Sequence, residues 1–253
     1  MKTGSLVTAI AGLAALFAYA GASGAAEIKV LASNGVKAAL EDLAPQFERA
    51  TGNKVTIVWG LAAVLKRQIE GGEAFDLAIL TTAGIDDLAK QRKVDGGTRA
   101  NVARSGVGIG IKAGAPRTDI GTPDALKRAM LEAKSVSWAK EGASGTYFVT
   151  VLERLGIADQ VKAKAILAAS GAEVGKLLVK GEAQYGALLV NELMAQPGVE
   201  VLAPLPPELQ SYTVFTTGVA AGSKNAGAAK SLIQFLTTPA AGAVFKSKGQ
   251  EPG

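Results

Sequence analysis

Short apolar runs that suit β-strands alternate with segments of helical periodicity along most of this 253-residue chain. Residues 27–32 read as a strand, and apolar residues at helical spacing follow over 36–47, where Pro45 predicts a kink. Residues 54–59 and 74–80 begin the same strand–helix unit again. This alternation predicts a mainly parallel sheet with ligands at the carboxyl ends of its strands.

The middle of the chain begins with a different pattern. Residues 104–113, RSGVGIGIKA, carry glycine at every second position, which predicts a strand against which another element packs closely. A second strand–helix series follows, with strands expected at 135–139, 185–190 and 199–202. A long β-rich run at 211–221 then precedes two C-terminal helices.

We therefore predict an α/β fold of two lobes, each a mainly parallel sheet with flanking helices, joined by two crossover strands. Lobe 1 would contain residues 26–104 plus 213–253, and lobe 2 residues 105–212. Ligands favour clefts between such lobes, and two half-sites that close on each other suit hinge bending around a small solute.

The N-terminus has the features of an export signal. Lys2 precedes an apolar run over 6–20 that is too short for a membrane span, and small residues suited to cleavage follow. We predict a cleavable signal peptide at 1–25. Because the chain has no cysteine for lipid attachment, we expect a periplasmic protein without a membrane anchor.

Composition narrows the chemistry. The chain has neither histidine nor cysteine, which excludes thiol nucleophiles, histidine bases and the common zinc sites. Its formal net charge of +5 is spread out without a basic run, so nucleic acid is not an expected partner. We expect a monomer with no metal and no cofactor that binds a small anion.

Two polar glycine loops precede predicted helices, one at 33–35 and one at 144–146. Ser144 is a candidate N-cap for a helix that carries Tyr147 and Leu155. A helix start presents free N–H groups and a positive dipole end, worth roughly 0.3–1 kcal/mol to an anion at an exposed position. An ordinary capped helix without a ligand is the alternative for either loop.

Several charged and amide side chains near the predicted strand–helix loops have two possible roles each. Arg104 heads the first crossover strand and could donate to a carboxylate or form a surface ion pair. Lys66 and Arg67 follow the loop at 60–63, after the second predicted strand, and could bind ligand or lie on a solvated helix face. Asn191 could bind ligand or cap the short helix after it.

Several long segments resemble a known family. They are LASNGVKAALEDLAPQFERATG, VLKRQIEGGEAFDLAILT, GTYFVTVLERLGI and AAGSKNAGAAKSLIQFLTTPAAGAVFKSKG. Together they resemble type II periplasmic solute-binding proteins, in the branch of the molybdate-binding proteins of ABC importers. The resemblance covers nearly all of the mature chain and implies an anion receptor that delivers its ligand to an ABC permease.

The ligand residues of that branch are not retained. The resemblance implies serine hydroxyls in the first two strand–helix loops and a tyrosine in the second lobe. Those positions fall near Gly35, at Ala62 with Ala63, and at 189–191. Each lost donor to a buried oxyanion costs roughly 1–3 kcal/mol. We therefore predict capture of an organic di- or tricarboxylate rather than molybdate.

The GASGTYF, PLPPELQSYTVF and KSKGQEP segments also resemble aconitate isomerase, which implies an alternative function on the same scaffold. Moving a proton across an allylic system needs a base and an acid beside the bound acid. Without histidine, the candidate catalytic residues are Lys66, Tyr147, Tyr212 and Glu192.

The predicted ligand-binding residues lie at the strand ends or at the first crossover strand. They are Ser33, Asn34, Gly35, Ala62, Arg104, Ser105, Ser144, Gly145, Thr146 and Asn191.

Overall fold

The computed structural model describes residues 25–253, so the predicted signal peptide lies outside it except for its last residue. The strands are β1 Glu27–Ser33, β2 Lys54–Gly60, β3 Leu77–Thr81, β4 Ala100–Lys112, β5 Val136–Ala139, β6 Ala165–Ala168, β7 Tyr185–Leu189, β8 Val199–Pro204, β9 Tyr212–Val219 and β10 Glu251–Pro252. The helices are α1 Lys37–Thr51, α2 Ala62–Glu70, α3 Thr82–Lys90, α4 Pro123–Glu132, α5 Ala143–Arg154, α6 Ala158–Lys162, α7 Gly171–Lys180, α8 Val190–Met194, α9 Ala226–Leu236 and α10 Pro239–Ser247. Within these residues no helix has the length and apolar character needed to cross a membrane.

The strands follow the order β2-β1-β3-β9-β4-β7-β5-β6, with β8 and β10 also paired to β4. The pairs of β1 with β2 and β3, and of β5 with β6 and β7, are parallel. The pairs of β4 and β9 with their neighbours are antiparallel. The predicted α/β class with parallel strand–helix units is confirmed, whereas the division into two lobes stays a prediction.

The glycine-rich strand β4 is the longest strand and lies between the two parallel groups. Its first half pairs with β9, and its second half pairs with β7 and β8. A Cβ on Gly110 would lie 2.4 Å from a Leu193 methyl group, and one on Gly108 would lie 3.0 Å from Val190. The alternating glycines therefore let α8 pack directly on the strand, as the sequence predicted.

Local expectations were corrected in two places. Pro45 lies inside α1, which continues from Lys37 to Thr51 because its inner face, including Leu43 and Phe47, is buried against the sheet. That packing outweighs the single backbone hydrogen bond that proline removes. The short elements α6, β6 and β10 were not predicted, because two to five residues carry too little periodicity to identify.

Candidate functional site

A small inner cavity lies where the carboxyl ends of β1, β2, β5 and β7 meet. Its volume is about 20 Å³. It is lined by Ser33, Asn34, Gly35, Leu61, Ala62, Ala139, Gly142, Ala143, Ser144, Gly171, Leu188, Leu189, Glu192 and Phe215. Both parallel groups of strands contribute to it, as expected for a ligand site in this architecture.

Helix starts surround the inner cavity. Leu61 is the N-cap of α2 and Gly142 is the N-cap of α5, and neither cap blocks the free N–H groups with a side chain. Ser33 and Ser144 add hydroxyl groups and are 7% and 3% exposed. Free N–H groups, positive dipole ends and hydroxyls together favour a negatively charged group. Within residues 25–253 no lysine or arginine lines this cavity.

One wall of the inner cavity is aromatic. Phe215 on β9 is 1% exposed, and its ring tip stands where a side chain at position 35 would project. A Cβ on Gly35 would lie 2.2 Å from Phe215 Cζ, far inside contact distance. Glycine is therefore required at 35 as long as phenylalanine occupies 215, and the pair gives the cavity an apolar surface at this point.

Glu192, on the first turn of α8, carries the carboxyl group of the inner cavity. The residue is partly exposed as a whole, while its carboxyl is surrounded by protein atoms. Burial raises the pKa of Glu192 to about 7, and a hydrogen bond from the Leu189 backbone opposes this rise. The group therefore exchanges a proton near neutral pH, which is the range required of a general acid or base.

An outer pocket of about 270 Å³ adjoins the inner cavity. The two share Asn34, Gly171 and Glu192 as lining residues. Lys37 and Glu41 of α1 also line the outer pocket and form an ion pair with each other over 3.7 Å. A molecule too large for the inner cavity can therefore extend past Glu192 into the outer pocket.

The predicted ligand residues fall into two groups. Ser33, Asn34, Gly35, Ala62 and Ser144 line the inner cavity together. Gly145 and Thr146 follow Ser144 in α5 without lining the cavity, and Arg104, Ser105 and Asn191 also lie outside its lining.

The predicted cap at Ser144 was wrong, and so was the alternative that Asn191 caps the short helix after it. α5 begins at Ala143 with Gly142 as its cap, so Ser144 lies inside the first turn and faces the cavity. α8 begins after Leu189, and Asn191 lies in its first turn. The Asn191 amide instead donates to the carbonyl of Gly35 over 2.8 Å. In both cases the helix starts two residues earlier than the polar side chain suggested.

The charged candidates are held by ion pairs. Arg104 donates from Nε to Glu251 over 2.8 Å and stacks on the Tyr212 ring at 5.0 Å. Lys66 pairs with Glu70 at 2.8 Å and with Asp87 at 3.6 Å. The hydrogen bond to Glu70 raises the pKa of Lys66.

The two tyrosine candidates are also placed away from the inner cavity. The Tyr147 hydroxyl donates to the Leu209 carbonyl over 3.0 Å, and Tyr212 is 48% exposed. Of the four candidate catalytic residues, Glu192 alone lines the inner cavity within residues 25–253.

The sequence did not identify Phe215 as a site residue. Its strand reads as core because apolar residues fill it, and nothing local distinguishes a ring that faces a cavity from one that packs in the core. The useful signal was Gly35, because a glycine in the turn after a strand can mark close approach by another group.

Known proteins resemble this chain over most of its length. A curated aconitate isomerase from a Pseudomonas species is 27% identical over 231 residues, covering 89% of this chain and 87% of its own. A molybdate-binding protein from Azotobacter vinelandii is 28% identical over 238 residues, covering 90% and 91%. The solved periplasmic molybdate-binding protein of Azotobacter vinelandii has a TM-score of 0.75 at 18% identity, covering 89% of this chain and 99% of its own.

The structural likeness establishes the fold, and the match to a family model establishes the family. The family described as bacterial extracellular solute-binding protein matches residues 28–251, which is almost the whole described chain. The chain belongs to the bacterial extracellular solute-binding protein family.

Proposed function

We propose that this protein captures a small organic acid, a di- or tricarboxylate in preference to molybdate, and delivers it to an ABC permease after export to the periplasm. The proposed ligand class rests on one observation: the Phe215 ring occupies the space that a side chain at position 35 would need. With Ala62 in the second loop, it gives the cavity an apolar wall that can contact a carbon skeleton. A tetrahedral oxyanion would lose donors at both places.

The remaining polar groups suit one carboxylate. The starts of α2 and α5 with the Ser33 and Ser144 hydroxyls can receive it without a guanidinium. A volume of about 20 Å³ holds little more than one water, so the rest of a larger acid would occupy the outer pocket or require the cleft to widen. A small inner cavity next to a larger outer pocket therefore favours an extended acid over a compact ion.

Isothermal titration calorimetry of the mature protein tests the ligand class. Molybdate, sulfate, citrate, tricarballylate and trans-aconitate would be titrated under the same buffer conditions. We expect at least one carboxylate to bind at least tenfold more tightly than molybdate, which is about 1.4 kcal/mol. Micromolar or tighter molybdate binding with no response to any carboxylate would refute the proposal.

A second candidate function is isomerisation of aconitate, and Glu192 is the observation that favours it. A curated relative bears that activity as its name, and the carboxyl of Glu192 lies in the cavity with a pKa of about 7. Such a group could remove an allylic proton and return it at the other end of the system. The serine hydroxyls and helix starts would hold the substrate carboxylates.

Incubation of trans-aconitate with the protein in deuterium oxide tests this second function. An isomerase should form the cis isomer, and Glu192→Gln should lower the rate at least 100-fold while changing affinity far less. Lys66→Met is the matched control, because Lys66 is paired outside the cavity. If trans-aconitate is unchanged after hours with stoichiometric protein, the isomerase function is refuted. The receptor function then remains.

A further inference from the structure

The carbonyl oxygen of Gly35 accepts hydrogen bonds from two side chains that come from distant parts of the chain. Asn191 Nδ2 donates over 2.8 Å and Gln250 Nε2 over 3.1 Å. Asn191 belongs to the first turn of α8, and Gln250 follows α10 near the C-terminus. Since both donors reach one oxygen, the two amide groups lie side by side, and they are 2% and 3% exposed.

The other oxygens of this cluster have no partner. Asn191 Oδ1, Gln250 Oε1 and Ser105 Oγ are buried and make no hydrogen bond within residues 25–253. Arg104 pairs with Glu251 in the antiparallel ladder, so the adjacent Ser105 comes opposite Gln250. Buried polar atoms without partners are rare in folded proteins. The two amides on one carbonyl, with Ser105 opposite one of them, indicate a common missing partner.

The hydrogen-bonding capacities of the three atoms match those of one water molecule. The amide oxygens of Asn191 and Gln250 can only accept, while the Ser105 hydroxyl can donate. A water donates twice and accepts at least once, and buried waters typically make about three hydrogen bonds. A cation is a poorer match, because two amide NH₂ groups stand beside three uncharged oxygens.

We propose that one buried water joins Ser105, Asn191 and Gln250, and that the two amides act as positioning residues for the ligand site. Gly35 lines the inner cavity, and Glu192 follows Asn191 on the same helix turn. The cluster therefore fixes the Asn34–Val36 turn against the start of α8. The positioning role rests on the proposed function, whereas the water site does not depend on any ligand.

The C-terminal segment is built into this cluster. A Cβ on Gly249 would lie 2.4 Å from Met194 Sδ and 3.5 Å from Asn191 Cα, so the segment packs tightly on α8. Glu251 then holds Arg104 of β4. The C-terminal segment thus contacts the turn at Gly35 through a buried hydrogen bond from Gln250, and β4 through the exposed Arg104–Glu251 ion pair.

A crystal structure of the unliganded protein at a resolution that orders internal waters tests the water site. We expect one density peak within about 2.7–3.2 Å of Ser105 Oγ, Asn191 Oδ1 and Gln250 Oε1. No peak, or a peak that reaches just one of these atoms, would overturn the water. Because no ligand is added, this result is separate from the outcome of the calorimetry.

The positioning role is tested with Gln250→Met, Asn191→Leu and the double variant. Each single variant leaves the Gly35 carbonyl one amide partner, so we expect amide exchange at residues 34–36 to rise less than tenfold. The double variant should raise it more than the product of the single effects and should shift the NMR titration midpoint of Glu192. Ser137→Ala is the control, because that buried strand serine has its own backbone partner, Ile166. Unchanged exchange and titration in a folded double variant would refute the role.

Discussion

At the scale of single residues, the candidate site depends on three residues with different roles. Phe215 supplies an apolar wall, Gly35 makes room for it, and Glu192 carries the titratable group. In the proposed function, the pair of Gly35 and Phe215 constrains the ligand class, and the raised pKa of Glu192 predicts a dependence on pH.

The Gly35 and Phe215 pair predicts a coupled effect. Gly35→Ser should lower the free energy of unfolding by about 1–3 kcal/mol, because its Cβ overlaps the Phe215 ring. Phe215→Leu removes the three ring atoms in contact, so the double variant should recover part of that loss. It should also gain roughly 1.5–3 kcal/mol in molybdate affinity from the new hydroxyl. Chemical denaturation measures the free energy of unfolding, and calorimetry measures the molybdate affinity. Phe215→Leu alone is the control. If the two substitutions change the free energy of unfolding additively, the predicted overlap is contradicted.

Glu192 predicts a pH dependence of stability. Its pKa is raised from 4.5 in the unfolded chain to about 7 in the folded one, so the folded state binds more protons between these values. The free energy of unfolding should therefore fall as pH rises from about 4.5 to 7, by up to roughly 3 kcal/mol from this group. Denaturation of wild type and Glu192→Gln across this range should show a shallower slope for the variant. Parallel slopes would exclude a raised pKa.

At the scale of elements, the start of α5 delivers N–H groups and the Ser144 hydroxyl to the cavity. The sequence identified this loop correctly as a helix start but put the cap on Ser144 instead of Gly142. The reason is that serine is a strong capping residue, whereas a glycine cap has no side-chain signal. Packing decides the position: a Cβ on Gly145 would meet the Ala139 carbonyl at 2.2 Å, so the helix begins directly against β5.

Changes at Ser144 test this helix start. Ser144→Ala should weaken binding of the tightest carboxylate by about 1–2 kcal/mol, because one donor is lost. Ser144→Pro is tolerated in a first helical turn but removes a backbone N–H, so it should weaken binding further. Calorimetry gives the affinities, and Thr122→Ala, which removes the cap of α4 outside both pockets, controls for a general loss of stability. Wild-type affinity in both Ser144 variants would remove α5 from the site.

The sequence predicted the long elements because their periodicity extends over many residues, as in α1 and β4. It could not predict how distant elements meet. Arg104 and Lys66 looked available to a ligand, but Glu251 and Glu70 pair with them after the chain folds. Phe215 likewise became a site residue through the pairing of β9 with β3, which joins residues more than 130 positions apart.

At the scale of the whole molecule, both parallel groups of strands must come together to complete the inner cavity. Arg67 on α2 pairs with Glu141 before α5 across the same junction. Both side chains are about half exposed, so the pair itself contributes little to stability. If ligand release separates the two groups, this pair breaks on opening.

Glu141→Gln therefore tests whether the two groups separate during release. We expect ligand dissociation to accelerate several-fold in stopped-flow measurements while the melting temperature stays within about 4 °C, because exposed ion pairs contribute at most about 1 kcal/mol. Added salt should reduce the difference between variant and wild type by screening the pair. Identical dissociation rates at low salt would indicate that this junction stays closed.

Native mass spectrometry of the protein, purified without added ligand, tests the central claim most directly. We expect a molecule carried through purification to have the mass of an organic di- or tricarboxylic acid and to be lost in Gly35→Ser. An adduct with the mass and broad isotope pattern of molybdate would contradict it.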